Sequence, residues 1–280
     1  MNTCSNFHTH TTFCDGKNTV EENAIEAEKR GLCALGFSSH AMLPFSDSWH
    51  LKTEKVSEYC DSVRLSAKHH PSLAIRLGFE ADFIPDFTFP TFEHYAEFSP
   101  DFLIGSVHFV YNNRGIFEAD DSFESVLGGI KKLYNGNVQA AVERYFEQQR
   151  EMLQTGDFSI IAHADLIRKP NERGHFFRED ESWYRTQLRL TADAIKRAGV
   201  AAEINTGGIA RKRLSSPYPS KEFLSLLFER NVPITISSDA HESWQIDCAF
   251  EEARKLARSV GYRETIVDFP QKGQFVFAPL

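Results

Sequence analysis

Histidines and acids recur along this chain at the points where apolar runs end. Six of the eleven histidines, His8, His10, His40, His108, His163 and His241, and three acids, Asp15, Glu80 and Asp239, stand in such places. Imidazole and carboxylate are the ligands that Zn²⁺, Mn²⁺ and Fe²⁺ accept. Nine candidates exceed the roughly three to five protein ligands of one ion, so the pattern points to a multinuclear metal site, and such sites activate water. Two of the pairs, His8-Thr-His10 and Asp239-Ala-His241, are spaced i, i+2, which puts both side chains on one side of an extended segment.

Each signal has a plainer reading when taken alone. An HxH pair is common, and Asp15-Gly16 also fits a turn. His40, His108 and His163 also fit hydrogen-bonded core histidines. Glu80 closes the apolar stretch Leu77-Gly-Phe-Glu80, where an acid is harder to assign to packing. The joint pattern carries the inference. The remaining histidines, His50, His69, His70, His94 and His175, fall in helical or loop stretches and read as solvated or locally bonded, with His50 and His175 as candidates for the border of a substrate pocket.

Two arginines follow the same strand ends. Arg168 lies five residues after His163, and Arg211 six after Asn205. A guanidinium there could grip phosphate oxygens in a forked contact. Arg211-Lys-Arg213 also fits a solvated basic run, and Arg168 a salt bridge with Asp165.

The elements that must position these residues alternate regularly. Strands are predicted at 3–8, 33–38, 73–80, 102–108, 158–163, 200–205 and 232–237, as continuous apolar runs that suit a parallel sheet buried on both faces. Between them, Thr19-Val-Glu-Glu22 is a capping box opening a helix that stops near Gly31. Residues 52–69, 137–155, 182–198, 220–230 and 245–260 are also helical in pattern, whereas 81–100 and 110–136 read as long loops. Seven strand–helix repeats without a low-complexity break predict a single α/β barrel, one domain over residues 1–280. In a parallel barrel the C-terminal ends of all strands share one rim, so candidates more than two hundred positions apart meet there.

Composition agrees. Hydrophobic content of 41% with 25% charge is ordinary for a soluble globular chain. A net charge of −8 speaks against a general nucleic-acid binder. It leaves a small anionic substrate open, because bound cations can invert the local potential. Five cysteines without a CxxC pair fit reduced thiols and a cytoplasmic location, with Cys4 and Cys33 as small buried hydrophobes. No signal peptide and no membrane-length apolar run is expected.

With these motifs in hand, the chain closely resembles the polymerase-and-histidinol-phosphatase (PHP) family. The resemblance rests on His8-Thr-His10 with Asp15-Gly16, Ser39-His40, Gly78-Phe-Glu80, Gly105-Ser-Val-His108, Ala162-His163 and Ser238-Asp-Ala-His241, in this order and nearly end to end. Within the family it is similar to the monofunctional histidinol-phosphate phosphatases, through His163-Ala-Asp-Leu-Ile-Arg168, Glu203-Ile-Asn-Thr206 and Pro217-Tyr-Pro-Ser220. Cys14 and Gly207 depart from it, each standing where relatives often carry Ser.

The resemblance implies a distorted (β/α)7 barrel holding three divalent ions (Zn, Mn and/or Fe). His8, His10, Glu80 and Asp239 would bind the first, Glu80 would bridge to a second held by His108 and His163, and Asp15, His40 and His241 would bind the third. The implied reaction is hydrolysis of L-histidinol phosphate, in histidine biosynthesis, by metal-activated hydroxide attack on phosphorus. Arg168 and Arg211 would neutralise phosphoryl charge. Acidic stretches near Asp82, Asp86, Asp120 and Asp121 could hold the substrate's ammonium and imidazole. The rival readings are a phosphoesterase of the same type acting on nucleotides or sugar phosphates, and a metal-dependent regulatory module without turnover.

Overall fold

The computed structural model describes residues 4–45, 47–171 and 175–280; Thr3, where the first predicted strand begins, lies outside them. The seven predicted strands are all present. They are β1 (Ser5–Asn6), β2 (Ala34–Phe37), β3 (Ala74–Asp82), β4 (Phe102–Ser106), β7 (Ile160–Ile161), β8 (Ala201–Asn205) and β9 (Ile234–Ser237). They lie side by side in that order, every pair parallel. A parallel bridge between Thr9 and Ala240, just beyond β1 and β9, brings the first strand to the last, through His10 N–H to Ala240 O (2.9 Å) and Ala240 N–H to His8 O (3.1 Å). Asn6 reinforces that seam: its Nδ2 donates to Ser238 Oγ (2.8 Å) and its Oδ1 accepts from Ser238 N–H (3.1 Å).

The ring is distorted for a visible reason. β1 is two residues long, and β10 (Glu264–Asp268) occupies the lower edge of β9, pairing Ile266 with Thr235. β11 (Val276–Pro279) then turns back antiparallel on β10. Neither β10 nor β11 is anticipated by the apolar pattern.

The N-terminal end of the barrel is closed by an apolar plug of Phe7, Ala34, Phe102, Ile160, Ala201 and Phe269. Phe7 meets Phe102 edge-on at 5.4 Å and Phe269 at 4.8 Å. Glycine on the neighbouring strands makes the room: a Cβ on Gly36 or Gly78 would fall 2.5–2.8 Å from the Phe7 or Phe102 ring. A filled floor leaves the opposite rim as the only end where polar groups can gather.

Helices cover the outside. α1 (Val20–Lys29) starts with the predicted capping box of Thr19 and Glu22. α2 (Val56–His69), α4 (Val138–Thr155), α5 (Ser182–Ala198), α7 (Lys221–Glu229) and α8 (Phe250–Val260) match the predicted helical stretches. Gly31 and Gly199 take left-handed φ values of 74° and 73° after α1 and α5, as expected of helix-ending glycines.

Two stretches expected as loops are partly structured. Residues 110–136 contain most of the hairpin β5 (Phe109–Asn112) and β6 (Gly115–Glu118), followed by α3 (Phe123–Tyr134). β3 runs two residues beyond Glu80 and carries Asp82 into the sheet. A one-turn helix α6 (Gly207–Ala210) follows β8. Cys4 and Cys33 are only partly buried, because they precede their strands, and no disulfide forms among the five cysteines. Among the described residues no helix is long and apolar enough to cross a membrane.

Candidate metal centre

All nine candidate ligands converge on the C-terminal rim, with Glu80 at their centre. Parallel pairing sets this up: Glu80 ends its apolar run beside Ile104 of β4, and the loops after the other strands turn inward above it. Its two carboxylate oxygens face different histidines. Oε2 lies 3.0 Å from His8 Nε2, 2.9 Å from His40 Nδ1 and 3.6 Å from His10 Nε2. Oε1 lies 3.0 Å from His163 Nε2 and 3.5 Å from His108 Nε2, and accepts from Ser106 Oγ at 2.6 Å. Glu80 is 1% exposed, so water cannot compensate these groups.

The other acids complete the cluster. Asp239 Oδ1 stands 3.2 Å from His10 Nε2 and 3.8 Å from His8 Nε2. Asp15 reaches His241 Nε2 at 3.1 Å, His10 Nδ1 at 3.7 Å and His40 Nε2 at 3.8 Å. Four sets of donor atoms each fall within 4.8 Å of one another: His10, Asp15, His40 and His241; His8, Glu80 and His163; His8, His10 and Asp239; and His40, Glu80 and His108. Asp239 adopts φ of +52°, a backbone state that costs a non-glycine residue energy and that aims its carboxylate into the cluster.

The donor set fits divalent cations on an independent test. His8 Nε2, His10 Nε2, His40 Nδ1, Asp15 Oδ1 and Glu80 Oε2 are buried and have no hydrogen-bond partner. Buried polar atoms are rarely left unpaired, and here the unpaired atoms are metal-ligating ones turned toward each other.

Charge balance tells the same story. Burial pushes Glu80 upward, but His8, His40 and His108 around it and the His163 hydrogen bond hold its pKa well below the usual carboxylate range. Burial pulls His8 down, yet Glu80, Glu203 and Asp239 drive it well above its ordinary value. His108 is raised to about 10, because Asp82 and Glu80 outweigh its burial. His10 falls to about 3, through burial and repulsion from His241 and His40. The carboxylates thus demand positive charge, which cations supply in exchange for the histidine protons.

Several residues outside the predicted set support these ligands. Glu203 is buried within β8, accepts from His8 Nδ1 (2.9 Å), from His163 N–H (2.9 Å) and from Asn205 Nδ2 (2.7 Å), and so fixes the His8 tautomer. Asp82, expected in an acidic loop near the substrate, is instead buried in β3. It accepts from His108 Nδ1 (3.0 Å), His108 N–H (2.9 Å) and His50 Nε2 (3.0 Å). His50 is therefore locally bonded rather than solvated. A charged residue inside an apolar strand was the available signal for Glu203, and the i, i+2 spacing from Glu80 was the signal for Asp82.

Above the cluster opens a cavity of about 890 Å³, whose walls include Trp49, Glu118, Asp120, Lys169 and Arg211. Trp49 stacks on Phe109 and meets His40 edge-on at 4.6 Å. Lys169 pairs with Asp120 at 2.7 Å. His175 and Asp121 also line the cavity, whereas Asp86 is exposed at a turn away from it. Arg211 sits on the wall and pairs with Asp239 at 2.7 Å. Arg168 does not line the cavity: its guanidinium is buried against Glu179 (3.0 Å) and Asp165 (3.4 Å).

Comparison with known proteins gives a consistent picture. Residues 6–207 match the PHP domain family. A Deinococcus radiodurans protein named "Probable histidinol-phosphatase" is 30% identical over 264 residues, covering 91% of this chain and 93% of that protein. The histidinol-phosphatase of Bacillus subtilis is 25% identical over 270 residues, covering 87% and 96%. Among solved structures, the histidinol phosphate phosphatase of Lactococcus lactis, complexed with zinc, L-histidinol and phosphate, superposes with a TM-score of 0.73 at 18% identity, over 97% of this chain and 99% of that one. That likeness establishes the TIM-barrel-like α/β fold.

Proposed function

Because the chain belongs to the PHP domain family, we propose that it is a metal-dependent phosphomonoesterase that hydrolyses L-histidinol phosphate to L-histidinol and phosphate. The observation that carries this reading is the placement of the cluster around Glu80 at the base of a cavity whose wall presents Arg211 and Lys169. Full-length relatives named histidinol-phosphatase direct the choice of substrate.

In the proposed centre His8, His10, Glu80 and Asp239 hold one ion, Glu80 with His108 and His163 a second, and Asp15, His40 and His241 a third. The opposed contacts of the two Glu80 oxygens support the bridging role. Zinc is the first candidate, with manganese and iron open to the same mixed donors. Bound divalent ions supply hydroxide near neutral pH and positive charge for the phosphoryl oxygens.

The chain's own residues do the rest. Glu203 and Asp82 hold His8 and His108 in fixed orientations. Arg211 offers its remaining N–H groups to the phosphoryl oxygens, since a guanidinium has five donors and its contacts to Asp239 and to His241 Nδ1 use no more than three. Arg168 is the second proposed phosphoryl contact, one that trades the half-exposed Glu179 carboxylate for substrate.

Phosphate release from a panel of esters, run with elemental analysis, tests the reading. Histidinol phosphate should be strongly preferred over nucleotides and sugar phosphates, and activity should follow bound metal. A preference for nucleotides would favour the rival phosphoesterase, and a metal-replete chain inactive on every ester would favour a regulatory module.

A further inference from the structure

We propose that Gly207 is a positioning residue for the metal centre: the absence of a side chain there opens the seat from which Arg211 orients the Asp239 carboxylate. The inference rests on the reading of Asp239 as a metal ligand. Gly207 lies just after β8, and its φ is not left-handed, so glycine is not required there for backbone freedom. Space is what the glycine supplies in this chain, at a position where relatives often carry Ser. A Cβ at this position would lie 2.8 Å from Arg211 Nη2, 2.9 Å from Asp239 Oδ2 and 3.0 Å from Asn205 Oδ1. Those three atoms belong to one network.

Arg211 grips Asp239 twice. Nη2 donates to Oδ2 at 2.7 Å and Nη1 donates to the Asp239 backbone carbonyl at 2.9 Å. The side chain and the left-handed peptide that carries it are thereby clamped by one planar fork. Asn205 closes the same side, with its Nδ2 3.4 Å from Oδ2 and its Oδ1 accepting from Gly207 N–H at 2.8 Å. With Oδ2 held in this way, Oδ1 is the oxygen turned toward His10 and His8. A methyl group at 207 displaces the guanidinium, the movable member of the network, and frees the carboxylate to rotate.

The test is metal affinity of the full chain, read with Zn²⁺ against a chromophoric chelator, together with the visible spectrum of the Co²⁺-loaded protein. Gly207→Ala should weaken Zn²⁺ binding on the order of tenfold, the lower end of what loss of a ligand-orienting contact costs, and should shift the Co²⁺ bands. Arg211→Ala, which also removes the Nη1 contact to His241 Nδ1 (3.0 Å), should weaken binding at least as much, and the double variant should be no weaker than Arg211→Ala alone, because the methyl acts only by displacing that guanidinium. Wild-type affinity in Gly207→Ala overturns the proposal, as do losses that multiply in the double variant. If Gly207→Ala does not fold, Arg211→Ala decides alone, and wild-type affinity there overturns it. A wild-type chain that binds no Zn²⁺ instead overturns the reading of Asp239 as a ligand.

Discussion

Glu80 Oε2 lies 2.9 Å from His40 Nδ1, with both atoms buried and neither in a hydrogen bond. Two such groups held face to face outside hydrogen-bond geometry cost free energy unless a third partner joins them. The same oxygen meets His8 Nε2 at 3.0 Å, again without a hydrogen bond to either atom.

Glu80→Gln is the sharpest test of that arrangement. The amide keeps the volume but removes the charge and one acceptor. Metal content and kcat/KM should fall together, by at least about 100-fold, the upper range for groups that only support a ligand. Retention of both would rule out a bridging role.

Glu203→Gln probes the layer beneath. Its carboxylate accepts from His8 Nδ1 and so keeps Nε2 as the ligating nitrogen. A neutral amide in its place allows the other tautomer. Metal affinity should drop roughly 10–100-fold with the fold intact, by analogy with carboxylate–histidine–metal triads elsewhere. Unchanged affinity measured by chelator competition would mean that the backbone following β1 alone orients His8.

Both acids illustrate what the sequence could and could not reveal. Every strand that carries a ligand was legible, because a parallel strand buried on both faces is a continuous apolar run and its last residue is conspicuous. Glu203 stood in plain view within Ala201-Ala-Glu-Ile-Asn205 but served only as a family marker. Its ligand partners, His8 and His163, follow β1 and β7, which are distant in sequence. α3 was missed because Gly128-Gly129 weakens the helical pattern, yet a Cβ on Gly129 would fall 2.5 Å from Phe117 Cβ, so that glycine serves close packing on β6. The β5–β6 hairpin escaped for a different reason: four-residue strands give too little alternation to detect. For Arg168 the rim loop and the Asp165 spacing offered two readings, a phosphate contact or a salt bridge, and the side chain turns to Asp165 and Glu179.

That placement makes Arg168→Ala an ambiguous probe, since it leaves the buried Asp165 with the Ser220 N–H but no counter-charge, at a cost of up to about 3 kcal/mol of stability by itself. Glu179→Ala is cleaner. Glu179 is 42% exposed, so its pairing with Arg168 is a weak competitor for phosphate. Freeing the guanidinium should lower KM for the phosphate ester about two- to fivefold, the equivalent of a pair worth up to about 1 kcal/mol. An unchanged KM would remove Arg168 from substrate binding and leave it a structural ion pair.

His70 gives a pH-dependent prediction remote from the metal centre. It caps α2 and ties it to α1, with Nδ1 2.7 Å from Glu28 Oε2 and Nε2 3.2 Å from Glu21 Oε1. Both ring nitrogens face carboxylates, and only the imidazolium can donate to both. Burial pulls the pKa down, but hydrogen bonds to Glu28 and Glu21 outweigh it and hold the value above the ordinary 6.5. A pKa raised by folding stabilises the protein fully below the unfolded value and ceases to do so as pH rises through the folded one. His70→Gln should therefore lower Tm more at pH 6 than at pH 9. The difference should correspond to no more than about 1 kcal/mol, because the carboxylate partners reach solvent. A gap between the two proteins that stays constant across that range, or widens toward pH 9, would show that His70 acts by packing rather than by charge.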